Sequence, residues 1–459
     1  MSGWNKSYWL DFPRPRFGAL AGPVTVDVAI VGSGIAGLKL ARCLSSHGLT
    51  VQVLESDQVG VGASSRNQGT INHGPNLAYS DCARLYGRET ARRWWQLGLE
   101  NHRLLCELIR EGQIDCNHER LGMTILARTD LSEWEARLAI YRADYGLLRA
   151  DGFDVEWLDE RAATDAGQGP SGLYAGGLCY CSDGQFHSGR FAVGLAQFVQ
   201  RLPGVSIAEG VRVLKVARVG GGVELLTSTW PVYAGCVFLA TNALAPQFVP
   251  QLASSLRAER GQVLVTAPLP QRPCRGSFGT ALAWWREIPL GDGSYRLLFG
   301  GGRTREEPDS LFPQFTPDGR PHPELEREGF SASVAHQARL DTQLIQLFPQ
   351  WAGVEITHRW GGLQSFTRDD FPLVGCLDPE RRIYGMVGLC GRGNCHSDVA
   401  AEYLAGRIAQ VETPISRDYG DLFERFCEPA RKTATWGPWY SDHGIADPLG
   451  SGPSPVGQT

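Results

Sequence analysis

A short glycine-rich segment near the start of the chain has the residue types and spacing that bind a dinucleotide phosphate. Six residues from Gly32 read Gly-Ser-Gly-Ile-Ala-Gly, and an acidic residue follows about 20 positions later. The first glycine permits a tight turn, the second lets a pyrophosphate approach the backbone, and the third lets a helix pack on a strand. The later carboxylate can bind ribose hydroxyls and would repel a 2′-phosphate, which disfavours NADP but leaves NAD and FAD open. The candidate contacts are Gly32, Ser33, Gly34, Ile35, Ala36, Gly37 and Glu55.

The neighbouring sequence supplies the strand, helix and strand that such a site requires. Val24–Val31 is a run of β-branched and apolar residues, typical of a parallel-sheet strand that is buried on both faces. A helix is predicted over 35–48, with its free N-terminal amides facing the phosphates. A second strand over 50–54 would end at Glu55. We therefore predict a βαβ dinucleotide-binding unit.

Composition excludes several other classes of protein. The chain has 459 residues, of which 20 % are charged, and its net charge is −5 without a basic cluster of the nucleic-acid-binding kind. That length predicts two or three domains. Residues 1–16 lack a signal-peptide core and no stretch reaches the roughly 18 apolar residues of a membrane span, so we expect a cytoplasmic protein without nucleic-acid or membrane partners. The 12 cysteines show neither a disulfide framework nor zinc-site spacing, and no metal is expected.

A second glycine-rich loop distinguishes between NAD and FAD, because its sequence resembles that of a known family. Gly60–Gly69 reads Gly-Val-Gly-Ala-Ser-Ser-Arg-Asn-Gln-Gly. With the preceding unit it resembles the D-amino-acid-oxidase-like superfamily of FAD-dependent amine oxidoreductases, which includes glycine and sarcosine oxidases and the γ-glutamylputrescine oxidase-like branch. Segments 183–202, 238–243, 260–265 and 360–394 extend the resemblance. It implies FAD, held in addition by Ser64, Ser65, Arg66, Asn67, Gln68, Gly69, Val213, Thr241, Asn242, Gly361, Gly391, Arg392, Gly393 and Asn394.

The resemblance also implies the fold, which combines α/β and α+β parts. A discontinuous Rossmann-like FAD-binding domain is expected over 20–84, 156–250 and 356–425. An inserted substrate domain with an antiparallel sheet is expected over 85–155 and 251–355, and a C-terminal extension over 426–459. The sequence itself predicts helices over 88–111, 131–148, 189–202, 336–348 and 397–410, the second of them capped by Asp130 and Glu133. It predicts strands over 121–127, 261–267, 278–285 and 295–301.

The chemistry implied by the resemblance is oxidation of an amine. Hydride passes from a substrate C–H to flavin N5, the amine must be neutral, the imine hydrolyses, and O2 reoxidises the flavin. An amine dehydrogenase that uses another electron acceptor and a flavoprotein monooxygenase are the alternatives. No second glycine-rich βαβ unit for a nicotinamide is evident, which argues against a nicotinamide-linked enzyme. The helix predicted over 397–410 would present its N-terminus to negative charge on a reduced flavin. The oligomeric state stays open.

The usual substrate anchors of the family are missing. Glycine-oxidase-like relatives carry an arginine where this chain has Gln364, and sarcosine-oxidase-like relatives carry a lysine where it has Cys395. This argues against a simple α-amino acid bound in the usual way and favours an amine or an unusual amino acid. A guanidinium elsewhere could bind a carboxylate bidentately. The candidates are Arg66, Arg286, Arg303 and Arg392, the last because relatives often carry histidine there.

Two further features bear on the flavin. Relatives with covalent flavin use a histidine where Arg66 stands or a cysteine in or just before 360–363, and this chain has neither, so non-covalent FAD is expected. His73 could face the flavin or lie in the core. An aromatic wall is expected from Trp94, Trp95, Trp284, Trp285 and Trp360, with Trp285 directed toward the flavin. The candidate catalytic residues are Arg392, Trp285, His73 and Gln364.

Overall fold

A computed structural model describes residues 3–301 and 329–429. Within these residues the helices are α1 (Ile35–Ser46), α2 (Tyr79–Tyr86), α3 (Arg88–Gly112), α4 (Trp134–Ala150), α5 (Glu160–Gly167), α6 (Ser188–Val199), α7 (Val334–Leu347), α8 (Gly393–Ala409) and α9 (Pro414–Phe426). The strands are β1 (Val24–Val31), β2 (Val51–Leu54), β3 (Thr70–Ile71), β4 (Met123–Arg128), β5 (Val155–Leu158), β6 (Tyr174–Tyr180), β7 (Gly184–Gln185), β8 (Val205–Ala208), β9 (Val213–Val219), β10 (Gly222–Thr227), β11 (Val232–Leu239), β12 (Arg257–Thr266), β13 (Ser277–Gly279), β14 (Ala283–Pro289), β15 (Tyr295–Gly301), β16 (Ile356–Phe366), β17 (Leu373–Asp378) and β18 (Ile383–Val387).

The first sheet is the predicted dinucleotide-binding sheet. Its strands run in the order β17, β18, β11, β1, β2, β8, with β10 and β9 added beside β11. β1 is parallel to both β2 and β11, so their carboxyl ends meet at one edge. Only Val28–Val31, the second half of β1, is fully buried, while the first half alternates between half-buried and exposed residues. Ligands of such sheets bind outside the carboxyl ends of the strands.

The second sheet is mixed, which corrects the expectation of an antiparallel sheet. Its order is β16, β12, β15, β14, β13, β4, β6, β5, and β13 pairs with β4 in parallel. These two strands come from segments far apart in sequence, so no hairpin forces them to be antiparallel. β5, β6 and β16 also lie in this sheet, although the predicted ranges 156–250 and 356–425 placed nearly all of them in the other domain.

Most predicted helices and strands are present with shifted ends. Three of them depart from the prediction in their number, their capping or their start. The predicted strand over 278–285 is two strands, β13 and β14, separated by a turn. α4 begins at Trp134 without a side-chain cap, because the Asp130 carboxylate instead accepts hydrogen bonds from Arg128 at 2.7 and 3.0 Å. α8 begins at Gly393, four residues earlier than predicted, directly after the glycine turn.

The helices pack where they can fix the carboxyl edge of the first sheet. α1 packs against α6 and α8, and α3 also packs against α8. Beneath this contact Lys39 of α1 forms a buried ion pair with Asp398 of α8 and donates to the Ser397 hydroxyl at 2.9 Å. Across residues 3–301 and 329–429, no helix has both the length and the apolar character needed to cross a bilayer.

Candidate active site

A cavity of about 460 Å³ lies where the carboxyl edge of the first sheet faces the second sheet. Its walls come from the start of α1, the loop after β2, the end of β16, the turn before α8, and parts of α4, β4, β6 and β14. The structure thus brings together most of the residues predicted from the sequence. Those lining the cavity are Gly34, Ile35, Ala36, Ser64, Arg66, Asn67, Gln68, Gly69, His73, Asn242, Gln364, Gly391, Arg392, Gly393 and Asn394.

The turn between β1 and α1 has the backbone geometry that its glycines predict. Gly32 has φ +104°, a conformation that L-residues rarely adopt, and an added Cβ would lie 2.9 Å from the Ala240 carbonyl oxygen. At Gly37 an added Cβ would lie 2.4 Å from the Gly32 carbonyl oxygen. Gly34 faces the cavity beside the first amides of α1. The missing side chains therefore let helix, turn and ligand approach one another.

Glu55 secures this turn from outside the cavity. One carboxylate oxygen accepts hydrogen bonds from the Ser33 amide at 3.0 Å and the Ser33 hydroxyl at 2.7 Å. The other accepts from the Asp57 amide at 3.0 Å. Neither Glu55 nor Ser33 lines the cavity, so in this structure they hold the turn in place.

The loop over 60–69 is fixed mainly by Asn67. Its amide donates to the Ala63 and Ser64 carbonyl oxygens at 3.0 Å, and its oxygen accepts from the Gly69 amide and the Ser188 hydroxyl at 2.7 Å. The Ser64 hydroxyl in turn accepts from the Ile35 amide at 2.9 Å, which ties the loop to the start of α1. Ser65 is fully buried behind the loop.

The opposite wall contains the end of β16 and the start of α8. Asn242, with φ +51°, donates to the Leu363 carbonyl oxygen at 2.9 Å and accepts from the Ser365 hydroxyl at 2.6 Å, so β11 and β16 are joined at the cavity. Gly361 and Thr241 lie just behind this wall, and the Thr241 hydroxyl is buried without a partner. Two helix N-termini, of α1 and α8, thus face one cavity and make it favourable for negative charge.

Four predicted residues lie elsewhere, and two of them, Trp94 and Trp360, are fully buried side chains that do not line the cavity. Val213 is buried in the core of the first sheet and does not line the cavity. Trp285 does not face the cavity either: it is fully buried and stacks between Phe278 and Phe299. Because side chains alternate along a strand, the residue beside it, Trp284, lines the cavity instead.

His73 and Gln364 offer polar atoms to the cavity. His73 Nδ1 contacts Asp183 Oδ1, and Asp183 Oδ2 accepts a hydrogen bond from the side-chain amide of Asn72 at 2.9 Å. His73 Nε2 is buried without a hydrogen-bond partner. The Gln364 side chain lies between Gly261 and Gly391, at 2.9 and 3.5 Å from the positions where their Cβ atoms would be. Any side chain on Gly261 would therefore displace this amide.

The structure shows which of the candidate arginines bind backbone and which one lines the cavity. Arg66 donates to three backbone carbonyl oxygens at 2.8–3.1 Å, and burial lowers its pKa to about 10. Arg286 likewise donates to the Gly69 and Phe186 carbonyl oxygens at 3.0 Å, and burial lowers its pKa to about 10. Both are occupied in holding backbone. Arg303 lies outside the described residues, whereas Arg392 lines the cavity as the residue just before α8.

Sequence reasoning missed a further set of polar residues on α4. Arg137, Tyr141 and Asp144 line the cavity and, with Leu148, form the buried stripe of this helix. Their spacing of four, three and four residues is the helical period, and three of the four are polar. A buried stripe that is mostly polar is the signal that could have identified them.

A possible metal site lies outside the cavity wall. His102, Cys106 and His118 place their ligand atoms within 4.8 Å of one another. His102 Nε2 and His118 Nε2 already form a hydrogen bond at 2.9 Å, and burial, with the positive charge of Arg120, lowers the pKa of both rings. Cys179 and Cys181, considered in the sequence, lie 3.8 Å apart between their Sγ atoms.

The residues present fit FAD. The pyrophosphate would meet the glycine turn and the free amides of α1, where a Cβ at Gly32 or Gly37 would clash with backbone. The isoalloxazine would meet Gly362, Gly391 and the start of α8, where there are again few side chains. Arg66 and the 360–363 stretch offer no histidine or cysteine for a covalent link.

Comparison with known proteins agrees with this geometry. The family model for FAD-dependent oxidoreductases, DAO, matches residues 27–407. The chain is 29 % identical to gamma-glutamylputrescine oxidoreductase of Escherichia coli over 406 residues, which cover 85 % of this chain and 84 % of the relative. It is 28 % identical to glycine oxidase of Geobacillus kaustophilus over 398 residues, covering 84 % and 94 %. The crystal structure of glycine oxidase from Geobacillus kaustophilus superimposes with a TM-score of 0.68 at 22 % identity, covering 85 % of this chain and 96 % of that one.

Proposed function

Because this chain belongs to the DAO family of FAD-dependent oxidoreductases, which act on amines and amino acids, we propose that it oxidises the C–N bond of an amine or unusual amino acid by hydride transfer to flavin N5, with O2 as the final acceptor and H2O2 as a product. The observation that carries the proposal is the single cavity shared by the glycine turns and by aromatic and polar side chains of the second sheet and α4. FAD, when bound, supplies the two-electron acceptor.

The substrate side of the cavity suits a small organic amine. Trp95, Trp284, Tyr141 and Tyr180 contribute aromatic surface to the same walls. Such surfaces bind the carbon skeleton of a ligand and displace water, while a few polar groups fix its orientation. The relative from Escherichia coli is named for an amine substrate, which is consistent with this class.

We assign the transfer of the amine proton to His73, which lines the cavity. A carboxylate only accepts hydrogen bonds, so the contact with Asp183 assigns a proton to Nδ1; in the neutral ring Nε2, which has no hydrogen-bond partner among the described residues, is then an acceptor. An ammonium cannot release its electron pair, and the acceptor nitrogen can take its proton. Asp183 then acts as a positioning residue, because it fixes the ring orientation and the tautomer.

The helix N-termini assist electron acceptance. Gly393 and Asn394 begin α8 at the cavity wall, with their amides pointing out of the helix. These partial positive charges stabilise negative charge that develops next to them. Gln364, in turn, offers a neutral amide where glycine-oxidase-like relatives carry an arginine, so the substrate is not a simple α-amino acid bound in the usual way.

The experiment is an aerobic assay over a panel of primary and secondary amines, ω-amino carboxylates and α-amino acids. We expect peroxide to form in equal amount to the aldehyde or keto product, and His73→Gln to lower kcat/KM for the amine. Turnover only with a dye as electron acceptor would assign a dehydrogenase. Absence of turnover with every amine and either acceptor would refute the proposal.

A further inference from the structure

Arg137 is a buried cation without a counterion. Only 6 % of its surface is exposed, and it lines the cavity from α4. Its Nε and Nη1 atoms have no hydrogen-bond partner in the part of the chain that the structure describes. No carboxylate lies within ion-pair distance of it among residues 3–301 and 329–429. A side chain that lines the cavity therefore carries two guanidinium nitrogens that no group of the described residues satisfies.

The neighbouring groups leave these donors free. Tyr141, one turn along α4, hydrogen-bonds to the guanidinium through its phenol. Asp144, the acid on the same stripe, instead accepts from the Tyr79 and Ser80 amides at 3.1 and 2.8 Å and from the Ser80 hydroxyl at 2.5 Å. The acid is thus used to hold the start of α2.

A buried charge without a partner is unfavourable, because the guanidinium has lost its hydration and gained little in return. The five N–H groups of a guanidinium form a planar fork that matches a carboxylate through two parallel hydrogen bonds. An anionic group of a ligand in the cavity would supply the missing partner.

The position of Arg137 differs from that of the family's usual anchors. α4 packs on α2, β4, β5 and β6, whereas Gln364 and Cys395 belong to β16 and α8 at the glycine-rich wall. We propose that Arg137 binds a carboxylate of the substrate, and that this carboxylate is separated from the oxidised amine by several atoms. This rests on the proposed function for the amine, but the anion site is a property of the chain itself. The substrate class is thus an ω-amino carboxylate.

The first test measures binding without turnover. Butanoate carries the carboxylate but no amine, so it is not a substrate. We expect it to bind the oxidised holoenzyme in isothermal titration calorimetry and to perturb the visible flavin spectrum. Arg137→Met should weaken this binding roughly 10–100-fold, the loss expected for one or two charge-assisted hydrogen bonds, and Arg137→Lys should weaken it less. Arg142→Met is the matched control, because Arg142 is exposed on the same helix, lies over the Trp157 ring and does not line the cavity.

The second test measures specificity. The wild-type enzyme should prefer an ω-amino carboxylate over its methyl ester by roughly 10–100-fold in kcat/KM, and Arg137→Met should abolish this preference. Unchanged butanoate binding in Arg137→Met, with thermal unfolding unaltered, would overturn the inference. So would equal turnover of acid and ester by the wild type, which would leave amine oxidation intact. Butanoate binding that depends on Arg137, in a protein that oxidises no amine, would support the anion site and refute the proposed function.

Discussion

Gly37→Ala isolates the contact between α1 and the dinucleotide turn. The added Cβ would lie 2.4 Å from the Gly32 carbonyl oxygen and 3.1 Å from Ile30 Cγ2 and Ala240 Cβ. Ordinary contact begins near 3.4 Å, so the start of α1 must move by about 1 Å. Such overpacking costs about 1–3 kcal/mol. The displaced amides are those that face a pyrophosphate, and losing one or two charge-assisted hydrogen bonds weakens FAD binding roughly 10–100-fold.

The assay is titration of deflavinated protein with FAD, followed by flavin fluorescence, with thermal unfolding measured in parallel. Gly146→Ala is the control: it makes the same change in the middle of α4, where a Cβ would have nothing within 4 Å. This control should bind FAD normally and gain up to about 1 kcal/mol of stability, because alanine favours the helix. If Gly37→Ala retained the FAD affinity of the wild type within a factor of about two, a change of under 0.5 kcal/mol, the assignment of this turn to the pyrophosphate would be wrong.

Three further predictions follow from the placement of single residues. Trp285→Ala should lower the free energy of unfolding in urea by about 3–5 kcal/mol, because it empties an aromatic core, whereas Trp284→Ala should mainly raise KM; equal stability of the two variants would contradict this division. Burial, with the positive charge of Arg392, lowers the pKa of His396 in the folded protein to about 3. As the pH falls below about 6.5, this histidine therefore becomes protonated in the unfolded chain while it stays neutral in the folded protein. The contribution of His396 to the free energy of unfolding is complete above that pH and declines by about 1.4 kcal/mol per pH unit toward pH 3. In urea unfolding at several pH values, His396→Gln should remove this part of the pH dependence of the free energy of unfolding. The same pH dependence in the variant and the wild type would count against a neutral buried ring. Acid precipitation of the purified protein should release all FAD into the supernatant, and flavin retained in the pellet would show a covalent link.

The βαβ unit could be predicted because each of its features has a local cause. The glycines at 32, 34 and 37 determine a turn by themselves, and the apolar run before them is typical of a central strand. The sequence predicts the start of α8 four residues too late, because Gly393 and Asn394 are poor helix formers and the packing of α8 on α1 and α3 extends the helix back to the turn.

The substrate side could not be predicted in the same way. Which of Trp284 and Trp285 faces the cavity depends on the register of β14 with β13 and β15, and adjacent tryptophans give no alternation to read. Arg137 lines the cavity only because α4 packs on β4 and β6 with its polar stripe turned inward, and the sequence does not show which face of the helix those strands cover. The sequence also suggests Arg66 and Arg286 as anchors, because it does not reveal that backbone carbonyl oxygens already bind both guanidinium groups.

The measurement that tests the central claim most directly is anaerobic titration of the FAD-loaded protein with each amine of a panel that includes an ω-amino carboxylate. The visible flavin absorption should be lost in proportion to added substrate, reach its limit at about one equivalent per FAD because hydride transfer carries two electrons, and return with H2O2 when air is admitted. If no amine bleached the flavin absorption but NADH or NADPH did, that result would contradict amine oxidation at this cavity.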